Sequence, residues 1–287
     1  MPEETQNPES AKPVLYFRYA GLTNTGMIRE HNEDAYKLPM DADAGTLASK
    51  GYLYVVADGM GGHQKGEVAS AVTIETVNSE YYTAVTPFEG QDPVEAISEA
   101  LSNAIEKANS QVLNATEGGG TTVVAAVLYD DSLVAMNVGD SRAYLLRDNQ
   151  LRQLSKDHSL VRRLVEMGKI SEEEALTHPR RNVLYQALGQ GSDVEIHISS
   201  ETLQAGDVVI LCSDGLWGEV TEPEIKQVLQ QSSSPFEAAR QLIDKANASG
   251  GADNITAIIV YVFNHKPAPS NPDLDDTHPS LPAVRLS

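Results

Sequence analysis

The sequence predicts an α+β fold in which antiparallel sheets are covered by helices. Three observations predict it. Eight short runs rich in β-branched and aromatic residues are bounded by Gly, Asp or Asn. The links at 129–132 and 148–151 are too short to hold a crossover helix, so the strands they join are antiparallel. Capped amphipathic stretches are inserted among the strands without a regular strand–helix alternation, which points to layers of sheet and helix.

The strand runs are 14–22 (VLYFRYAGL), 52–57 (YLYVVA), 121–129 (TTVVAAVLY), 132–139 (SLVAMNVG), 142–148 (RAYLLRD), 194–199 (VEIHIS), 207–212 (DVVILC) and 255–263 (ITAIIVYVF). One helix opens at Asp92-Pro93-Val94-Glu95, with an N-cap, a proline at the first helical position and an acid in the first turn. Val94, Ile97, Leu101, Ile105, Ala108 and Val112 then form one apolar stripe. Ser234-Pro235-Phe236-Glu237 repeats that start, and Gly250 ends the helix it begins. Residues 66–82 also read as helix. Residues 157–188 are polar and mostly helical, an excursion over the surface between two strands.

No internal repeat and no Gly/Ser linker divides the chain, so residues 14–265 read as one domain. Residues 1–13 read as a disordered tail, and so do residues 266–287, which carry prolines at 267, 269, 272, 279 and 282. The hydrophobic share of 41% suits a protein that buries a core, and no run approaches the length of a transmembrane helix. The first residues lack the basic and apolar regions of a signal peptide, and the single cysteine, Cys212, lies in an apolar strand run. The expectation is a cytoplasmic monomer. A net charge of −20 repels nucleic acid and anionic membrane surfaces. No phosphate-binding G-x₄-G-K-[ST] occurs, nor a G-x-S-x-G or C-x₅-R nucleophile signature.

The chemistry lies in where the aspartates fall. Asp58 ends the run YLYVVA, Asp140 ends SLVAMNVG, Asp214 follows DVVILC by one serine, and Asp253 precedes the last strand. Glu33 and Asp34 sit in HNEDAY, just after the first strand. A single Asp-Gly is ordinary turn chemistry. Acids at the mouths of several strands of one sandwich can instead converge, and converging carboxylates need protons or cations. An all-oxygen set suits Mg²⁺ or Mn²⁺ better than zinc.

The segments R-x-x-N-E-D (Arg29, Asn32, Glu33, Asp34), V-A-D-G-M-G-G-H (56–63) and G-G-T-T (119–122) together resemble the PPM family of metal-dependent protein phosphatases. So do V-G-D-S-R-A-Y (138–144), T-H-P-x-R-N-V-L (177–184), C-S-D-G-L (212–216) and D-N-I-T (253–256). The motifs stand in the family's order over about residues 15–263, with the wording of its bacterial branch. The resemblance implies a four-layer α-β-β-α sandwich of two antiparallel sheets, with 157–188 as a small flap subdomain. It implies two or three Mn²⁺ or Mg²⁺ ions per chain. Asp58 would bridge two ions and Gly59 would offer its carbonyl. Asp214 and Asp253 would complete the first ion, and Glu33 and Asp34 would act through bound waters. Asp140 with Asp214 would form a third-ion site, and Arg29 would grip the substrate phosphate as a bidentate fork. The implied reaction is hydrolysis of phosphoserine and phosphothreonine in proteins by a metal-activated water, without a covalent enzyme intermediate, opposing a bacterial serine/threonine kinase.

The sequence departs from the animal-type pattern at Met60, where a histidine general acid follows Asp-Gly. His63 lies three residues on, behind two glycines, and reads as a loop histidine that orders the turn; the general acid is then another group. A non-catalytic module with this fold would have lost ligands, yet Asp58, Asp140, Asp214 and Asp253 are all present. A two-metal nuclease would carry a basic groove, against which the acidic body argues.

Overall fold

In a strand successive side chains point to opposite faces, and along Tyr52–Met60 both faces are apolar. Leu53 and Val55 pack with Val77, Ile97, Leu101 and Ile105, while Tyr54 and Val56 pack with Leu145, Leu211, Ile258 and Val260. A strand of this kind must be covered twice, and that need sets the architecture.

The structure, a computed structural model, describes residues 14–39, 42–61, 64–84 and 92–265. The two expected tails lie outside the described residues. The first half runs β1 (Tyr16–Asn24), β2 (Asp34–Lys37), α1 (Ala44–Lys50), β3 (Tyr52–Met60), α2 (Gln64–Ala84), α3 (Pro93–Ala115), β4 (Gly120–Thr121), β5 (Val123–Tyr129) and β6 (Ser132–Val138). Then come β7 (Arg142–Arg147), β8 (Gln150–Gln153), α4 (Leu160–Glu166), α5 (Glu172–Leu176), β9 (His197–Thr202) and β10 (Val208–Cys212). Finally come α6 (Asp214–Trp217), α7 (Glu222–Gln231), α8 (Pro235–Ser249) and β11 (Ile255–Phe263).

One sheet has the order β1-β11-β10-β7-β8, the other β2-β3-β5-β6-β9 with β4 beside β3, and the pairings are antiparallel. The sheets face each other across a core of Tyr54, Val56, Val124, Ala126, Leu133, Leu145, Val209, Leu211, Ile258 and Val260. Helices α2 and α3 cover the outer face of the second sheet through Val77, Tyr81, Ile97, Leu101 and Ile105. Helices α7 and α8 cover the first through Ile225, Val228, Leu229, Leu242 and Ile243. This is the four-layer α-β-β-α sandwich.

The helix signals hold locally. The Asp92 side chain accepts from Val94 N at 2.9 Å, and the predicted stripe from Ile97 to Val112 is buried. Ser234 caps α8 through Glu237 N at 3.1 Å, and Gly250 ends it. Some boundaries move. The run 194–199 becomes a strand only at His197–Thr202, because Val194 and Ile196 instead pack against the core under α2 and α3. The run 121–129 breaks at Thr122, whose hydroxyl accepts from Asp58 N at 3.0 Å. Residues 157–188 hold two short helices, α4 and α5. Strands β2 and β8 and helices α1, α6 and α7 are additions to the predicted elements. Among the described residues no helix is long and apolar enough to cross a membrane.

Candidate active site

Antiparallel pairing brings distant acids to one end of the sandwich. Asp34 stands directly opposite Asp58 in the β2–β3 ladder, so the two carboxylates leave the sheet on the same face. The backbone of Asp58 is locked by Thr122 N to its carbonyl at 2.9 Å and by Thr121 Oγ1 to the same oxygen at 2.8 Å. Val123 pairs with Val138, which places the following Gly139 and Asp140 at the same edge. Cys212 pairs with Ala257, so the next residues of the one strand and the preceding residues of the other bring Asp214 to Asp253. Asp58 lies inside β3, which runs on to Met60 past the expected end at 57, and Asp214 opens α6 two residues after β10 ends.

Two glycines are required by this packing. A Cβ on Gly59 would stand 2.2 Å from Gly66 O and 2.6 Å from Glu33 O. Gly139 has φ +102° and would press a Cβ into Thr122. Asn254 organises the loop between β1 and β2. Its Nδ2 donates to Thr25 O and His31 O, each at 2.9 Å, and its Oδ1 accepts from Glu33 N at 2.8 Å. That loop carries Arg29, half-exposed, whose Nη2 reaches Asp253 Oδ2 at 2.6 Å.

The electrostatics of the cluster are those of crowded carboxylates. Burial, with the nearby charges of Asp214 and Asp253, pushes the Asp34 carboxyl up to about 7, although hydrogen bonds from Thr256 and Ser213 hold it down. Burial raises Asp58 well above the usual carboxylate range, and Asp34, Asp214, Asp140 and Asp253 add to the rise. Asp140 is raised in the same way, by burial and then by Asp214 and Asp157, against Arg142. Asp214 is pushed up to about 6 by burial and Asp253, opposed by a hydrogen bond with Asp58 and by Arg29. Carboxyls crowded in this way favour their protonated forms, and a cation could stand in place of those protons. Asp34 Oδ1 and Asp214 Oδ1 are buried without a hydrogen-bond partner. Orphaned oxygens in an all-carboxylate cluster fit a hard divalent cation. Among the described residues no three such groups form a ready-made cage, so ligation requires side-chain adjustment.

The hydroxyls at this edge are already engaged. Ser213 Oγ donates to Asp34 Oδ2 at 2.7 Å and accepts from Thr256 N at 3.0 Å; Thr256 Oγ1 donates to the same carboxylate oxygen at 2.6 Å. Ser141 and Thr122 share a hydrogen bond of 2.7 Å. Cys212 is buried, and burial pushes its thiol up to about 12. None of these is poised as a nucleophile. Met60 ends β3 opposite Gly120. His63 lies outside the described residues. His158 is buried, its Nδ1 accepts from Gly139 N at 3.3 Å, and burial lowers its pKa, which keeps the ring neutral. His178 Nδ1 accepts from Arg180 N at 3.1 Å at the exposed end of the excursion.

The sequence named Asp34, Asp58, Asp140, Asp214 and Asp253, which the fold brings to one edge, but not what orients them: Asn254 as the hub of the Arg29 loop, and Thr256 and Thr122 as hydroxyl partners. All three lie inside the quoted motifs, so the motif wording was their only signal.

Comparison with known proteins gives a consistent picture. A family model described as Protein phosphatase 2C matches residues 30–248. The serine/threonine phosphatase stp of Listeria welshimeri is 39% identical over 246 residues, covering 83% of this chain and 93% of that protein. The crystal structure of the serine/threonine phosphatase Stp1 from Staphylococcus aureus superposes with a TM-score of 0.77 at 32% identity, covering 89% of this chain and 99% of that one. The catalytic domain of the serine/threonine phosphatase PstP, solved in complex with two manganese ions, gives a TM-score of 0.70 at 34% identity, covering 87% and 99%.

Proposed function

The chain belongs to the protein phosphatase 2C family of metal-dependent serine/threonine phosphatases, and we propose that the carboxylate cluster at the end of its sandwich is the seat of that hydrolysis. The observation that carries the reading is the pair of buried, unpartnered oxygens, Asp34 Oδ1 and Asp214 Oδ1, among mutually repelling acids. Asp58, the Gly59 carbonyl, Asp214 and Asp253 would hold two Mn²⁺ or Mg²⁺ ions, with Glu33 and Asp34 acting through water and Asp140 with Asp214 taking a third. Bound divalent cations supply the acidity that activates water and the charge that offsets the phosphoryl oxygens.

The chain's own groups do the rest. Ser213 and Thr256 fix one oxygen of Asp34, which leaves the other pointed at the cluster. Asn254 fixes the loop from which Arg29 reaches the rim, where its planar fork matches a phosphate. With the neighbouring hydroxyls engaged and the thiol buried, no protein nucleophile is needed, and hydrolysis proceeds without a covalent intermediate. The substrates are phosphoserine and phosphothreonine proteins, a serine/threonine kinase is the natural counterpart, and the enzyme works as a monomer in the cytoplasm.

Purified protein is expected to hydrolyse p-nitrophenyl phosphate and phosphothreonine peptides with Mn²⁺ or Mg²⁺, to be silent in EDTA, and to ignore serine- and cysteine-directed reagents. Activity that survives thorough chelation overturns the reading. Arg29→Ala is expected to raise KM, with a smaller fall in kcat, because a half-exposed guanidinium grips phosphate in the ground state as well as the transition state. A flat KM with a collapsed kcat would make Arg29 a transition-state group instead.

A further inference from the structure

The Gly139–Asp140 corner is held from behind by groups outside the carboxylate cluster. Trp217, the last residue of α6, donates Nε1–H to the carbonyl oxygen of Asp140 at 3.0 Å. Because α6 opens with Asp214, a single helical turn carries one acid and pins the backbone of another. The guanidinium of Arg142 lies 3.6 Å from the centre of the Trp217 ring. The same guanidinium spans both oxygens of Asp157, with Nε at 3.0 and 3.2 Å and Nη2 at 2.6 Å, and its Nη1 donates to Tyr144 Oη at 2.9 Å. Asp157 is nearly buried and takes a further bond from Gln153 Nε2 at 2.8 Å. Its neighbour His158 returns to the corner, donating N–H to Gly139 O at 2.9 Å and accepting from Gly139 N at 3.3 Å.

Asp140 needs such a hold. It follows a glycine at φ +102° and lies between β6 and β7, outside either strand. The charges of Asp214 and Asp157 both act against its carboxylate. Left free, a repelled side chain on an irregular loop would turn outward. Here Gly139 is fixed by His158 and the Asp140 carbonyl by Trp217, while Arg142, every nitrogen of its fork in use, keeps the indole plane in place. Beside the His158–Gly139 bonds, the stack is a second link between this corner and the first residues of the 157–188 excursion.

We propose that Trp217, aligned by the Arg142–Asp157 pair, is a positioning residue that holds the Asp140 carboxylate toward Asp214 for a cation the two acids share. The inference rests on the reading that Asp140 and Asp214 bind a divalent cation, and the test separates the two. Calorimetric Mn²⁺ titrations compare the wild type, Asp140→Ala, Trp217→Phe and Arg142→Lys, with a thermal melt of each metal-free protein. Phe keeps an aromatic ring under the guanidinium and removes the N–H donor along with part of the indole, a packing loss the melt registers; Lys keeps the charge and loses the fork.

The expected result is that Asp140→Ala loses one binding step. Trp217→Phe should weaken that same step about fivefold, the weight of one hydrogen bond, and leave the other steps unchanged. Arg142→Lys should move the same step in the same direction. Turnover of Trp217→Phe should then recover at high Mn²⁺ with an unaltered KM for p-nitrophenyl phosphate. If Asp140→Ala loses the step while Trp217→Phe and Arg142→Lys only lower the melting temperature, Trp217 is structural and the inference fails, with the cation reading intact. If Asp140→Ala keeps every step, both fail together.

Discussion

Asp214→Ala is expected to lower kcat/KM by more than about 10³-fold, roughly 4 kcal/mol of transition-state stabilisation. Asp214 stands where the cluster is most crowded. Asp253 and burial raise its pKa, its charge acts on Asp58 and Asp140, and one of its oxygens is buried without a partner. On the proposed reading a carboxylate so placed would serve more than one cation, so its loss would remove charge that no neighbour can replace. The same position predicts the opposite effect on folding. Asp214→Asn keeps the shape and removes one of the mutually repelling acids, so the metal-free variant is expected to melt higher than wild type above about pH 6 while remaining inactive. Activity assays with excess Mn²⁺ and thermal melts in EDTA check both halves. Near-normal turnover, or a melting temperature lowered by the Asn variant, would show that Asp214 is a packing residue.

The metal-free protein is expected to lose stability as pH rises through neutrality. Asp34 titrates at about 7 and Asp214 at about 6, against an ordinary carboxyl value of 3.8. Both hold their proton more tightly folded than unfolded. Their contribution to stability is therefore complete below the ordinary carboxylate range and is lost progressively from about pH 4, levelling off above about 7. For Asp34 alone the loss is on the order of 4 kcal/mol, and the two acids are coupled, so their effects do not simply add. In a domain of this size that corresponds to roughly 10 °C in melting temperature. Asp43, Glu224 and Glu237 shift the other way, but they are exposed cap residues and cannot offset a buried cluster. Mn²⁺ should remove the slope, because cations bind the deprotonated acids and displace their protons. Melts at pH 5 and pH 8, with EDTA and with Mn²⁺, test this. A metal-free melting temperature that is flat or rises over that range would mean that the acids are not crowded in solution.

The parts of the fold that were legible in the sequence are those set by local chemistry. The caps of α3 and α8, Asp92 and Ser234, could be read because an N-cap followed by proline has few other uses. The apolar runs marked the strands, although not which were central, because almost every one is covered on both faces. Strand β2 could not be read: its four residues, DAYK, have no strand pattern, and they are extended because β3 offers a partner. Helix α7 was readable but unread. Thr221 and Glu224 form a capping box, and only the short stripe of Ile225, Val228 and Leu229 behind it hid the signal. In the site, Asp58, Asp140, Asp214 and Asp253 were legible because each stands close to an apolar strand run. Asn254 and Trp217 were not, because what each does depends on a backbone carbonyl that only the folded chain brings near: His31 O for one and Asp140 O for the other.

The pairing of β1 with β11 makes the rim of the cluster wait on a strand that follows most of the fold along the chain. All nine residues of the first strand, Tyr16 to Asn24, are matched one for one with the last, Phe263 to Ile255. A chain emerging from the ribosome exposes the inner face of β1 and the lower rim of the cluster for as long as the rest takes to be made. Until the final strand docks, Asp253 is missing and Asn254 cannot anchor the loop of Arg29. A chain cut before β11 is therefore expected to lose both the Asp253 partner of Arg29 and the Asn254 anchor of its loop, and with them the assembled rim of the cluster.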